Sequence, residues 1–130
     1  MRWYIDSSAI IKLIKLENES KALINALPER VVSSRVARVE VIRTFSQWSP
    51  ESLALSHEVL SNIEMISIDD AVISISENLP SFVTLRALDS IHIASALSVK
   101  ASIKGIITYD REMIKAALDL GFKILSPGMK

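Results

Sequence analysis

Four acidic residues stand where their surroundings argue against ordinary surface charge: Asp6, Glu40, Asp89 and Asp110. Asp6 closes RWYID (2–6) and Asp110 closes KGIITYD (104–110), two short branched and aromatic runs that read as buried strands. Asp89 heads DSIHIASALSVK (89–100), read as a helix. At about 100° per residue, its apolar side chains fall on nearly every side. As far as Val99, only Ser90, His92, Ser95 and Ser98 interrupt them. A helix apolar almost all round belongs inside a protein, where an unpartnered charge is costly. Glu40 lies in VARVEVIRTF, flanking an apolar stripe of Ala37, Val41, Phe45 and Trp48.

Two carboxylates about 4 Å apart repel by about 4 kcal/mol at an effective dielectric of about 20. Four converging on one cleft would need a cation or raised pKa values. The chain has no cysteine, so with oxygen ligands the fitting cation is hard, Mg²⁺ or Mn²⁺. Such an ion lowers the pKa of a bound water and offsets charge on a phosphoryl group. That is the apparatus of a metal-dependent phosphodiesterase.

Simpler roles compete for the same residues. Aspartate is a favoured helix N-cap, and Asp6, Asp89 and Asp110 each precede a predicted helix. A lone glutamate beside an apolar stripe is commonly a boundary residue. A metal-free ribonuclease of acid–base type would want two imidazoles at the phosphate. The chain has only His57, in the surface-helix pattern LALSHEVL, and His92, whose place in the buried helix suits a hydrogen-bonded core residue. Ser7, Ser8 and Thr108 can orient the acids by hydrogen bonds, although capping explains the serines equally well. Arg35, Arg38, Arg43, Arg86 and Arg111 lie near the acids in sequence. Arginine suits phosphate because its planar fork binds in two prongs, and Arg86 and Arg111 stand within a few residues of a site acid.

The positioning elements follow from pattern. Strands are expected at 2–6, 30–33, 63–68, 104–110 and 122–125. Between them come helices through AIIKLIKL, then at about 18–27, 35–48, 50–61, 70–78, 89–100 and 111–120. Ser49-Pro50 is a cap and first-turn pair, Ser7 or Ser8 can cap the first helix, Asp69 or Asp70 the fifth, and Gly121 closes the last. Alternating strands and helices give an α/β sandwich with a parallel sheet. In such folds ligands gather at the carboxyl ends of the strands, which is where Asp6 and Asp110 would sit.

Length and composition set the bounds. A chain of 130 residues with 49% hydrophobic residues supports one domain with a real core, 1–130. Fifteen basic residues balance fifteen acidic ones, which counts mildly against generic nucleic-acid binding but permits a local basic rim. Asp6 breaks the N-terminal apolar run too early for a signal segment. No stretch suggests a membrane span, and the absence of cysteine fits a reducing compartment. A cytoplasmic protein without membrane contact is expected.

The blocks YIDSSAIIKLIKLENES, SSRVARVEVIR, LRALDSIHIASAL and IITYDREMIKAALDLGFKILSPG, in this order and spacing, resemble a PIN domain. They are most similar to the VapC-type ribonuclease toxins of toxin–antitoxin pairs. The resemblance runs from residue 3 to residue 128, weakest over 50–80. It implies a three-layer α/β/α PIN-like fold with a central, mainly parallel sheet of four or five strands. It also implies that Asp6, Glu40, Asp89 and Asp110 bind Mg²⁺ or Mn²⁺ and activate water for RNA cleavage. Ser7, Arg86, Thr108 and Arg111 become supporting or substrate-contacting candidates. An RNA substrate, a VapB-like antitoxin and a homodimer follow from the resemblance too. The apolar Ile11, Ile14 and Leu16 of the early helices would suit those partner surfaces, or plain core packing. The rival reading is a non-catalytic PIN-like module that binds RNA or protein. A phosphoryl-transfer domain with Asp6 as nucleophile is weaker, because such families place a second acid two residues later and Ser8 stands there.

Overall fold

The computed structural model describes residues 1–130. Five strands, β1 (Arg2–Ile5), β2 (Val31–Ser34), β3 (Glu64–Ile66), β4 (Ile103–Ile107) and β5 (Lys123–Leu125), form one sheet in the order β3-β2-β1-β4-β5. Every pairing is parallel. Seven helices connect them: α1 (Ser7–Ile14), α2 (Ser20–Ala26), α3 (Arg35–Ser46), α4 (Pro50–Ser61), α5 (Asp70–Glu77), α6 (Ala87–Ser98) and α7 (Arg111–Asp119).

Alternation along each strand divides the core in two. Ile5, Val31 and Ile107 point to one face and pack with Ala9 and Ile10 of α1, Leu23 of α2, Val41 and Phe45 of α3 and Leu60 of α4. Tyr4, Val32 and Ile106 point to the other and pack with Ile93 and Ala96 of α6 and Met113 and Ala117 of α7. Helix α5 lies against α6. The result is the expected three-layer α/β/α arrangement, with five strands in its sheet.

Strands β1 to β3 step outward under helices of one layer, after which the chain crosses back to β4 and β5 under helices of the other. The strand order therefore reverses between β1 and β4. A crevice opens at the carboxyl ends of strands at such a reversal, and ligands of doubly wound sheets bind there.

Two glycines have backbone reasons. Strand β4 carries an extra residue against β1, pairing Arg2 with Ile103 but Tyr4 with Ile106. A Cβ on Gly105, inside that irregularity, would lie 2.4 Å from the Lys123 carbonyl oxygen and 2.7 Å from the Trp3 ring. Gly121 has φ +86° and follows α7. Its N–H donates to the Leu118 carbonyl and that of Phe122 to the Ala117 carbonyl, the paired bonds of a Schellman ending.

Several boundaries differ from the expected ones. Helix α6 begins at Ala87, since the Ser90 N–H already bonds the Arg86 carbonyl, so Asp89 lies within the first turn and does not lead the helix. Asp6, not Ser7 or Ser8, caps α1, accepting from the Ala9 amide, and Asp69 caps α5. Helix α3 stops at Ser46 and Trp48 is 53% exposed, outside the stripe assigned to it. The backbone ahead of Pro50 disfavours helix, and the Trp48 ring stands edge-on to Phe45. Edge strand β3 is half its expected length. Ile14 is buried and Ile11 packs on the core, leaving only Leu16 of that trio exposed.

Candidate active site

Asp6 is fixed more tightly than any other acid of the chain. It follows β1 directly, is 3% exposed, and caps α1 through Oδ1. Oδ1 also accepts from Ser8 Oγ at 2.6 Å, while Oδ2 accepts from Thr108 Oγ1 at 2.5 Å. Thr108, wholly buried in the segment after β4, accepts in turn from the Asp110 amide at 3.1 Å. The Tyr109 amide donates to Ser8 Oγ at 3.0 Å. The β1–α1 and β4–α7 junctions are thus stitched together at the strand reversal. Asp110 caps α7, accepting from the Glu112 and Met113 amides. Both aspartates thus cap a helix while standing at the carboxyl edge of the sheet.

Glu40 arrives from the middle of α3. Its Oε1 accepts from Ser7 Oγ at 2.6 Å and lies 2.8 Å from His92 Nε2. His92 Nε2 is also 3.0 Å from Ser7 Oγ, and Nδ1 is 2.6 Å from the Tyr4 hydroxyl. Asp89, in the first turn of α6, lines an open cleft of about 370 Å³ with Glu40, Arg86, Ala87 and Leu88. None of the chain's ion pairs includes Asp6, Asp89 or Asp110.

The electrostatics show how close these acids stand. Burial pushes the Asp6 carboxyl above the ordinary aspartate range, against the pull of His92 and of the donors from Ser8, Thr108 and Ala9. Asp89 is raised by partial burial and then by the charges of Asp110, Glu40 and Asp6. Glu40 goes the other way. Its half-burial opposes ionisation, but hydrogen bonds from His92 and Ser7 outweigh that and hold it below the usual range. Four carboxylates therefore act on one region, with the His92 imidazole beside them.

The donors are all oxygens, which suits a hard divalent cation. No three carboxylate or imidazole groups are gathered into a ready-made metal shell. Mg²⁺ is compatible with that, because it keeps several waters and takes one or two carboxylates plus substrate phosphate more readily than an all-protein cage.

The supporting candidates fare differently. Ser7 touches Glu40, Thr108 touches Asp6, and Arg86 lines the Asp89 cleft. Arg111 instead donates to the Lys130 carbonyl at 3.0 Å and faces a separate depression lined by Lys12, Tyr109 and Met129. Of the histidines, His57 is exposed on α4 and His92 is buried and hydrogen-bonded. The contact of His92 with Glu40 and the participation of Tyr4 are additions to the sequence reading. Faint signals existed: His92 follows Asp89 by one helical turn, and Tyr4 precedes Asp6 by two residues in its strand.

A parallel sheet reversing at β1 and β4, with acids gathered at its carboxyl edge, defines a class, and the chain belongs to the PIN domain family, whose model matches residues 3–118. Among relatives, Ribonuclease VapC46 of Mycobacterium tuberculosis is 36% identical over 126 residues, covering 95% of this chain and 96% of that one. Ribonuclease VapC35 of the same species is 34% identical over 131 residues, covering 96% of each. In fold, the chain is similar to a toxin–antitoxin complex from Klebsiella pneumoniae, with a TM-score of 0.77 at 19% identity over 98% of this chain and 99% of that one.

Proposed function

We propose that this protein is a Mg²⁺- or Mn²⁺-dependent endoribonuclease, acting in the cytoplasm as the toxin of a toxin–antitoxin pair, with residues 1–130 forming one PIN-like domain. The observation that carries the reading is the gathering of four carboxylates from four separate elements at one edge of the sheet, near enough that Asp110, Glu40 and Asp6 all act on the charge of Asp89. Relatives named as ribonucleases at 34% and 36% identity support the substrate class.

Asp6, Glu40, Asp89 and Asp110 would hold the cation. When bound, it would make a water more acidic and offset charge on the phosphate under attack. The chain's own groups do the rest. Thr108 and Ser8 keep Asp6 in one rotamer, while Ser7 and His92 do the same for Glu40. Arg86, at the cleft wall, offers a guanidinium to the substrate phosphate. A further basic face adjoins Glu40 on α3. Arg35, Arg38 and Arg43 line a groove with His57, and none has an acidic partner. In a chain of zero net charge, such unpaired arginines suit an RNA backbone. A VapB-like antitoxin and a homodimer complete the proposal, supported by the toxin–antitoxin neighbour in fold and by exposed apolar residues such as Val39, Phe82 and Leu88.

The test is cleavage of single-stranded RNA with Mn²⁺ or with chelator. Wild type should cut only with the metal, and Asp89→Asn should lose at least about two to three orders of magnitude, the scale of removing one strong electrostatic contributor. Equal cleavage by the variant would overturn the site assignment. A folded wild type that binds RNA but never cuts it would leave the binding-module reading.

A further inference from the structure

Glu40 and His92 come from opposite layers: α3 packs on one face of the sheet and α6 on the other. They meet at the acidic site, where the imidazole is 2% exposed. Its contacts specify where its hydrogens are. A carboxylate has no hydrogen to give, so the 2.8 Å approach of Nε2 to Glu40 Oε1 requires the hydrogen to sit on Nε2. Ser7 Oγ, 2.6 Å from the same oxygen, donates its own hydrogen there and can accept from Nε2–H at 3.0 Å. Nδ1 is then the ring's acceptor, 2.6 Å from the Tyr4 hydroxyl, which donates. Tyr4 is 1% exposed, with its ring at right angles to the imidazole.

We propose that Tyr4, His92 and Ser7 form a buried positioning relay for Glu40. Tyr4 sets the His92 tautomer, and His92 with Ser7 holds Oε1, so that the second carboxylate oxygen, Oε2, is the one presented to the cleft and its cation. The inference rests on the metal-dependent reading above and adds residues to it. Glutamate is long and loses much rotamer freedom when ordered. A donor pair anchored on α1 and α6 removes that freedom before any ligand arrives. Burial supports the relay, since the enclosed Tyr4 hydroxyl needs a hydrogen-bond partner and His92 Nδ1 is within reach of it. A mere filler between the layers could be apolar, as the surrounding Ile93, Ile106 and Val32 are. Here the polar atoms connect step by step to Glu40, the Tyr4 hydroxyl to Nδ1 and Nε2 to Oε1.

Two measurements on the full chain test this. The first is the ¹⁵N spectrum of the imidazoles at a pH above the ordinary histidine range. The chain has two histidines, so His57→Gln assigns the signals. His92 should be the neutral Nε2–H tautomer in wild type, and Tyr4→Phe should relax it toward a mixture. The second is Mn²⁺ affinity by calorimetry, with far-ultraviolet dichroism confirming folding. His92→Asn keeps a polar group near the Nδ1 position and loses the donor to Glu40. His92→Gln places an amide near the Nε2 position and can still donate. Tyr4→Phe and His92→Asn should each weaken Mn²⁺ binding by about 10- to 100-fold, the usual effect of removing a group that orients a metal ligand. His92→Gln should restore most of the loss.

An Nδ1–H tautomer, or a doubly protonated ring, in the wild-type spectrum would overturn the relay whatever the variants do. So would Mn²⁺ affinity unchanged in Tyr4→Phe and His92→Asn, or lost equally in the Asn and Gln variants. Wild type that takes up no Mn²⁺ would overturn the metal-dependent reading itself, and the role assigned to the relay with it. That failure is distinguishable, since it appears before any variant is made.

Discussion

At the scale of single residues, the site is a problem of accumulated negative charge. Asp89 is the least supported of the four acids, with no ion pair and three carboxylates acting on it. Its folded pKa is raised, so its ionised form weakens the fold and its protonated form does not. Without metal, Asp89→Asn should therefore melt higher than wild type at neutral and alkaline pH. The gap should close as the pH falls through the raised pKa of Asp89 toward the ordinary aspartate value, because wild type then carries its own proton. Melting curves of both proteins across that window, in chelator, check this; a gap that widens on acidification would contradict the sign. The four acids stood out in the sequence because Asp6 and Asp110 follow strand patterns and Glu40 and Asp89 lie on helices whose pattern argues against surface charge. The Glu40–His92 contact was not. It joins residues 52 apart in the chain, from opposite layers, and no local spacing encodes where two such helices meet.

Elements position these residues through their termini. Asp6 and Asp110 are held at the sheet's carboxyl edge because the β1–α1 and β4–α7 turns are tight, each aspartate capping the helix that follows. Capping by Ser49 ahead of Pro50 was readable from residue type alone. The start of α6 was less so, since Arg86 makes no side-chain cap and nothing in the sequence marks Ala87 as the first helical residue. The extra residue in β4 was invisible as well, for it depends on pairing with β1. Gly105 permits that irregularity, with the Lys123 carbonyl and the Trp3 ring where a Cβ would go. Gly105→Ala must displace backbone of β5, so it should cost about 1–3 kcal/mol or more, the range of overpacked cores. Urea unfolding measures this directly. A loss below about 0.5 kcal/mol, the level of ordinary surface changes, would mean the strands yield more easily than their geometry implies.

On the scale of the whole molecule, the sheet order explains why residues 6, 40, 89 and 110 come to the same edge of the sheet although they span most of the chain. Alternating strand and helix patterns made the parallel sheet legible, and the carboxyl edge followed as the place for a site. The order β3-β2-β1-β4-β5 itself did not follow from pattern, because a strand's sequence does not name its neighbour. If the four acids at this edge form one cation site, a Mn²⁺ titration of the melting temperature will reveal it. An ion that binds only the folded state adds about 2.7 kcal/mol of stability at a hundred times its dissociation constant, roughly 10 °C for a domain of this size. Wild type should rise by that order and Asp89→Asn should not. A wild-type melting temperature unmoved by millimolar Mn²⁺, or a variant that rises just as far, would contradict a shared cation site.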